Sequence, residues 1–192
     1  MRAVIIAGGP SLTQEDVDRC AGSDRRIYCV NDAYRMAPWA EVLYACDGEW
    51  WEKHGGVPAF DGERWTASLE ASRKYGLRYI SGDHDAVFSA QQGYIAYGGN
   101  SGFQALNLAY LQGMRDIVLL GFDMGVGADG KTHWFGDHPR EIRRPSNYSD
   151  WVRRFNLASP VIQSLGCKVV NCSRRTALEC FPRMDLGNAL KG

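Results

Sequence analysis

Two histidines stand at positions 133 and 138 of the segment Lys131-Thr132-His133-Trp134-Phe135-Gly136-Asp137-His138. Imidazole titrates near neutral pH, so either ring can take a proton from a hydroxyl. Asp137 adjoins His138 and is a candidate to orient it. The surrounding aromatics and glycine suit a flap over a site. A second kind of signal recurs along the chain: polar or glycine-rich turns at the ends of apolar runs. Gly8-Gly9-Pro10-Ser11 follows Val4–Ala7, Asn31-Asp32 follows Ile27–Val30, and Asp47-Gly48 follows Val42–Ala45. Gly98-Gly99-Asn100-Ser101-Gly102 opens a helix-length segment, and Gly121-Phe122-Asp123 follows Asp116–Leu120. Glycines let backbone N–H groups approach a ligand, and a helix N-terminus carries partial positive charge, so both favour phosphate. The candidate nucleotide-binding set is therefore Gly8, Gly9, Ser11, Asn31, Asp47, Asn100, Ser101, Gly102 and Asp123. The candidate catalytic residues are His138 and His133. The first glycine turn matches neither G-x-x-x-x-G-K-[ST] nor G-x-G-x-x-G, and it also reads as a plain strand-to-helix turn capped by Ser11.

Other chemistries are weaker. His133, His138, Asp123 and Asp47 are metal-ligating types, but at no recognised ligand spacing, so no metal site is predicted. His54 and His84 lack comparable neighbours. Arginines cluster at Arg140, Arg143, Arg144, Arg153 and Arg154, and again at Arg174 and Arg175. They read either as a solvated helix face or as contacts to a phosphorylated donor or polyanionic acceptor.

The elements that must position these residues alternate. Strand candidates are Val4–Ala7, Ile27–Val30, Val42–Ala45, Arg78–Ile80, Asp116–Leu120 and Lys168–Asn171. The first and fifth are nearly continuous in Val, Ile and Leu, as in parallel strands covered on both faces. Helix candidates are Leu12–Cys20, with a capping pattern at Ser11, Ala67–Tyr75, Gly102–Gln112 and Tyr148–Leu165. Pro160 is expected to kink or split the last of these. The alternation implies an α/β fold: a single Rossmann-like domain over residues 1–192, its mostly parallel sheet flanked by helices. Residues 121–147, after the fifth predicted strand, are glycine-rich and lack periodicity. So long a segment in a compact domain reads as an active-site loop or lid.

The chain has 192 residues, with 22 Lys plus Arg against 22 Asp plus Glu. Zero net charge argues against a general nucleic-acid binder. No apolar run approaches the ~20 residues of a membrane span. The N-terminal apolar stretch is too short for a secretory signal, so a cytoplasmic protein is expected. Six cysteines without C-x-x-C spacing are expected to be reduced structural thiols. A homo-oligomer is left open.

The sequence Val4–Leu12, V-I-I-A-G-G-P-S-L, resembles the nucleotide-binding signature of small bacterial sialyltransferases that use CMP-sialic acid. It also resembles the related domain of 6-hydroxymethylpterin pyrophosphokinases. The likeness continues at Asn31, at Asn100-Ser101-Gly102, and at Gly121-Phe122-Asp123. His133–His138 looks like the sialyltransferase H-Y-x-G-H segment with Asp137 added, which makes His138 the general base by resemblance. The tyrosines that follow the G-x-D strand in those enzymes are replaced here by Met124-Gly125-Val126. The resemblance implies a glycosyltransferase with a nucleotide-sugar donor of CMP type and a small-molecule or glycan acceptor. Two alternatives accompany it. One is a pyrophosphokinase acting on a pterin-like acceptor, with Mg²⁺ held by carboxylates such as Asp47 and Asp123. The other is a non-catalytic nucleotide-binding protein.

Overall fold

The computed structural model describes residues 1–137 and 146–191. Among the described residues nine strands form: β1 (Arg2–Ile6), β2 (Arg26–Val30), β3 (Val42–Tyr44), β4 (Glu63–Thr66), β5 (Arg78–Tyr79), β6 (Ser81–Asp83), β7 (Tyr94–Ala96), β8 (Asp116–Leu120) and β9 (Lys168–Asn171). Seven make one wholly parallel sheet in the order β5-β4-β3-β2-β1-β8-β9, while β6 and β7 pair separately. The chain thus starts in the middle of the sheet, winds outward to β5, and returns to lay β8 on the other side of β1. That reversal leaves a crevice beyond the carboxyl ends of β1 and β8, the place where open α/β sheets bind ligands.

Alternation along each strand feeds two cores. Ala3, Ile5, Tyr28, Tyr44, Ile117 and Leu119 face α4 (Ser101–Leu111) and α5 (Tyr148–Ser164). Val4, Ile6, Cys29, Leu43, Val118 and Leu120 face the opposite layer. That layer comprises α1 (Gln14–Asp18), α2 (Gly48–Lys53), α3 (Leu69–Tyr75) and α6 (Leu186–Lys191). Ile5 and Ile6 are fully buried, one in each core; each such side chain contributes ~1.5–3 kcal/mol. Burial on both faces is what the apolar runs of β1 and β8 require.

Helix α4 matters most for the site. It is buried almost all round, and two of its buried polar residues, Gln104 and Asn107, lock it in place. Asn107 Oδ1 accepts from the N–H groups of Ser89 (2.9 Å) and Ala96 (2.8 Å). Gln104 accepts from the Tyr44 hydroxyl (2.6 Å) and donates to the Tyr97 carbonyl (2.7 Å). With both satisfied, the register of α4 on the sheet is fixed, and its N-terminus is aimed at the crevice.

Several expectations need correcting. Helix α1 is capped by Thr13, whose side chain accepts from Asp16 N–H, and not by Ser11. Helix α5 is one helix of 17 residues through Pro160, not two. Asn156, four residues before Pro160, is exposed, as is Pro160 itself. Water can therefore solvate the carbonyl that proline leaves without a donor. The short strands β4, β6 and β7 and helices α2 and α6 carry little periodicity and were not predicted. All six cysteines are free thiols; burial pushes Cys20 up to about 12 and Cys46, Cys167, Cys172 and Cys180 up to about 11. Among the described residues no helix is long and apolar enough to cross a membrane.

Candidate functional site

A cleft opens at the β1/β8 reversal. Gly8, Gly9, Asn31, Asn100, Ser101, Gly102, Asp123 and His133, eight of the predicted site residues, line it. Its volume is about 120 Å³, the space of about four waters at ~30 Å³ each. A phosphate fits whole, and a larger ligand lies partly across the rim.

The first glycine turn is built differently from a phosphate cradle. Gly9 N–H donates to the Gly121 carbonyl (2.8 Å), and Ser11 N–H donates to Asp123 Oδ2 (2.8 Å). Both donors are consumed in joining the end of β1 to the end of β8. A Cβ on Gly9 would sit 2.1 Å from Asp123 Oδ1 and 2.5 Å from the Gly121 oxygen. Glycine is needed there so that two chain segments can touch, and not so that a ligand can. Ser11 is absent from the cleft; its Oγ accepts from Arg175 N–H (3.2 Å). Only the Gly8 N–H is left without a partner among the described residues.

The wall that presents main-chain donors comes from α4. Asn100 Oδ1 caps Phe103 N–H at 2.9 Å. The N–H groups of Ser101 and Gly102, in the first turn, have no helical acceptor. Together with Gly8 they present main-chain donors and the positive end of an 11-residue helix to one space. Ser101 Oγ accepts from Cys46 N–H (3.3 Å), which ties the end of β3 to this wall.

The opposite side carries strain and unsatisfied acceptors. Three non-glycine residues among those described have positive φ, and two of them, Asn31 (+50°) and Met124 (+51°), line the cleft. Left-handed backbone at a side-chain-bearing residue costs of order 1 kcal/mol and concentrates at working sites. Asn31 Oδ1 and Asp123 Oδ1 are buried without a hydrogen-bond partner. Burial raises the Asp123 carboxyl above its usual range, against the Ser11 hydrogen bonds and the fields of Arg175 and Arg183. Both orphaned oxygens are acceptors open to a donor such as a hydroxyl.

His133 stands over the glycine turn. The described part of the 121–147 segment docks there: Trp134 N–H donates to the Gly8 carbonyl (3.2 Å), and His133 and Gly136 pair back to back in a tight hairpin. The imidazole stacks on Phe135 with centroids 5.0 Å apart. Thr132 Oγ donates to Asp137 Oδ1 at 2.7 Å and lies 3.0 Å from His133 Nδ1. A hydroxyl has one proton. Where that proton lies on the carboxylate, the Thr132 oxygen accepts from Nδ1–H, the tautomer whose basic nitrogen is Nε2. A Cβ on Gly8 would lie 3.2 Å from His133 Cδ2, so the Cδ2–Nε2 edge is the one toward the glycine turn. Asp137 therefore orients His133 through Thr132. His138 lies outside the described residues, as do Arg140, Arg143 and Arg144.

Other predicted residues fall elsewhere. Asp47 is exposed at the start of α2 and does not line the cleft, so it does not join Asp123 there in a shared Mg²⁺ site. Among the described residues no three of His, Cys, Asp and Glu converge as metal ligands. Arg153 and Arg154 both bind Asp150, each at 2.7 Å, and Arg174 binds Asp16 at 2.6 Å. Burial alone would raise the Asp16 carboxyl, but Arg174 and Thr13 hold it below its usual range.

Asp32, Thr132, Phe135, Tyr148 and Trp151 also line the cleft; the first three stand in segments the sequence singles out but are not in the predicted site set, and the last two were missed. Asp32 accepts from the Trp50 indole (3.0 Å) with His54 Nε2 3.7 Å away, so His54 backs a cleft residue rather than standing apart. Tyr148 and Trp151 pack edge to face at 5.3 Å, an aromatic rim at the start of α5. Their i, i+3 spacing on a predicted helix next to the loop was the available signal.

Fold and cleft define a doubly wound parallel α/β protein with its pocket at the strand reversal. Comparison with known protein families and with curated proteins gives no match.

Proposed function

We propose that this chain is a glycosyltransferase-like enzyme that takes a nucleotide-sugar donor in the β1/β8 cleft. The donor phosphate meets the N–H groups of Gly8, Ser101 and Gly102. Its ribose or sugar hydroxyls donate to Asn31 and Asp123, and its base lies on the Tyr148–Trp151 rim, where aromatic faces stack planar rings. The CMP type of donor rests on the sequence resemblance. His133 Nε2 accepts the proton of the acceptor hydroxyl. The freed oxygen forms the bond to the anomeric carbon, the bond from that carbon to the phosphate oxygen breaks, and the nucleotide leaves with the electron pair. The α4 N-terminus stabilises the charge it carries away. The observation that carries this reading is the His133 ring, held by Thr132 and Asp137 with its basic edge toward the phosphate-facing turn.

The test is release of nucleotide from CMP-, UDP- and GDP-sugars by the wild type and by His133→Ala, His138→Ala and Thr132→Val. General-base loss costs about 10²–10⁴-fold. His133→Ala should fall by that amount and Thr132→Val by about tenfold, with nucleotide affinity retained. Full activity in His133→Ala combined with loss in His138→Ala would move the base to His138. Full activity in both would reject acid–base catalysis at this cleft.

A further inference from the structure

A second concavity adjoins the cleft across Asp123, sharing Pro10, Asp123, Met124 and Gly125 with it. It is larger, about 470 Å³. Val126, Ala128 and Ala177 give it apolar walls, and Val126 is left 51% exposed. The groove also holds Arg175. The neighbouring cations are engaged: Lys131 pairs with Asp129 at 2.7 Å, and Arg174 pairs with Asp16. Among the described residues Arg175 has no ion-pair partner, although its field reaches the Asp123 carboxyl.

The backbone beneath Arg175 is fastened to both strand ends. Arg175 N–H donates to Ser11 Oγ (3.2 Å), Thr176 Oγ donates to the Phe122 carbonyl (2.6 Å), and Ala177 N–H donates to the Asp123 carbonyl (2.8 Å). An arginine on so constrained a segment, open to a groove and with no ion-pair partner among the described residues, is suited to hold a carboxylate or phosphate, whose oxygens match its planar donors.

We infer that this groove is the acceptor subsite, and that the acceptor is a small molecule with an apolar body and one carboxylate or phosphate group bound by Arg175. The inference rests on the donor reading of the adjoining cleft. The apolar walls take the body of the acceptor, and the shared Asp123–Gly125 edge is where its hydroxyl meets the donor. The groove thus selects against neutral acceptors, because one that leaves Arg175 unpaired forgoes its charge-assisted hydrogen bonds.

Phenyl phosphate, phenylacetate and neutral benzyl alcohol serve as probes, titrated into the full chain by calorimetry and followed by ¹⁵N amide shifts, with and without CMP. At least one anionic probe should bind with shifts at Val126, Ala128 and Ala177, and which one binds separates phosphate from carboxylate. Arg175→Gln should weaken it at least tenfold, and Arg175→Lys should restore part of the loss. The affinity for CMP should not change. Equal binding of benzyl alcohol, wild-type binding by Arg175→Gln, or shifts confined to Gly8, Ser101 and Gly102 would overturn the inference. Arg175-dependent probe binding with no response to any nucleotide would overturn the donor reading instead, while the anion preference of the groove would stand.

Discussion

Substituting the two adjacent glycines of the first turn by alanine should give opposite phenotypes, and the reason is packing alone. Neither Gly8 nor Gly9 has positive φ, so alanine meets no backbone strain at either position. At Gly9 the new Cβ would lie 2.1 Å from Asp123 Oδ1, 2.5 Å from the Gly121 oxygen and 2.6 Å from Asp123 Cγ. The shortest of these is more than about 1 Å short of van der Waals contact. Neither neighbour is a loose end. The Asp123 carboxylate is buried and held by Ser11 N–H, and the Gly121 carbonyl accepts Gly9 N–H itself. Overpacking costs about 1–3 kcal/mol, and losing the charge-assisted bond to Ser11 adds about 1.5–3 kcal/mol. For a chain of this size each kcal/mol lowers Tm by about 2–4 °C, so Gly9→Ala should melt about 5–24 °C below wild type. At Gly8 the new Cβ would lie 3.2 Å from a single atom of the His133 ring. A shift of a few tenths of an ångström relieves it, so Tm should move by no more than about 4 °C. Activity should still fall, because the displaced atom belongs to the proposed base and misplacement of a reacting group is costly. Thermal melts followed by circular dichroism at pH 7 read both outcomes. A Gly9→Ala protein melting within about 2 °C of wild type would refute the packing of this turn. So would a Gly8→Ala protein melting as low as Gly9→Ala.

Asp123→Asn tests the buried carboxyl. Its folded pKa is raised, so its contribution to stability is full below the unfolded value near ~3.9 and is lost as pH rises through the folded one. The Tm of the Asn variant relative to wild type should therefore increase from about pH 4 to pH 7, and a flat difference across that range would contradict the shift. Asn31→Gly should leave stability unchanged or raise it by up to about 1 kcal/mol in urea unfolding, since glycine accepts φ +50° freely. It should also weaken nucleotide binding, and a stability loss with binding intact would count against a ligand role for Asn31. Pro160→Ala restores an N–H in the exposed middle of α5 and should stabilise the protein by about 1–3 kcal/mol, measured by urea unfolding. Destabilisation would mean that the proline ring is packed.

Much of the fold was legible because β1, β8 and their helices are long enough for period to declare itself. Continuous Val, Ile and Leu marked the central strands, and α3 and α4 end beside the positive-φ glycines Gly76 and Gly113, close to the predicted bounds. Strands of three or four residues such as β4, β6 and β7 are too short to show a period, and their pairing is decided by neighbours. In the site, residue types marked the right turns, because polar residues at strand ends converge once the strands are parallel. Their roles were less legible. Gly9 and Ser11 look like phosphate contacts in sequence, but their N–H groups are used to clip β1 to β8. Asp47 follows a strand end in the same way as Asp123, yet β3 lies two strands from the reversal and carries it away from the crevice. The Asp137–Thr132–His133 chain joins residues of a tight hairpin, and it is geometry rather than residue type that links this carboxylate to His133.

The central claim is that the β1/β8 cleft binds a nucleotide through its phosphate. Amide spectra of ¹⁵N-labelled protein titrated with CMP, UDP, GDP, ADP and ATP test it residue by residue. At least one nucleotide should shift Gly8, Ser101 and Gly102 together, and Asn31→Ala should weaken the same response. Saturating nucleotide that leaves those three amides unmoved, or that moves only residues remote from the cleft such as Glu52 and Lys74, would contradict it.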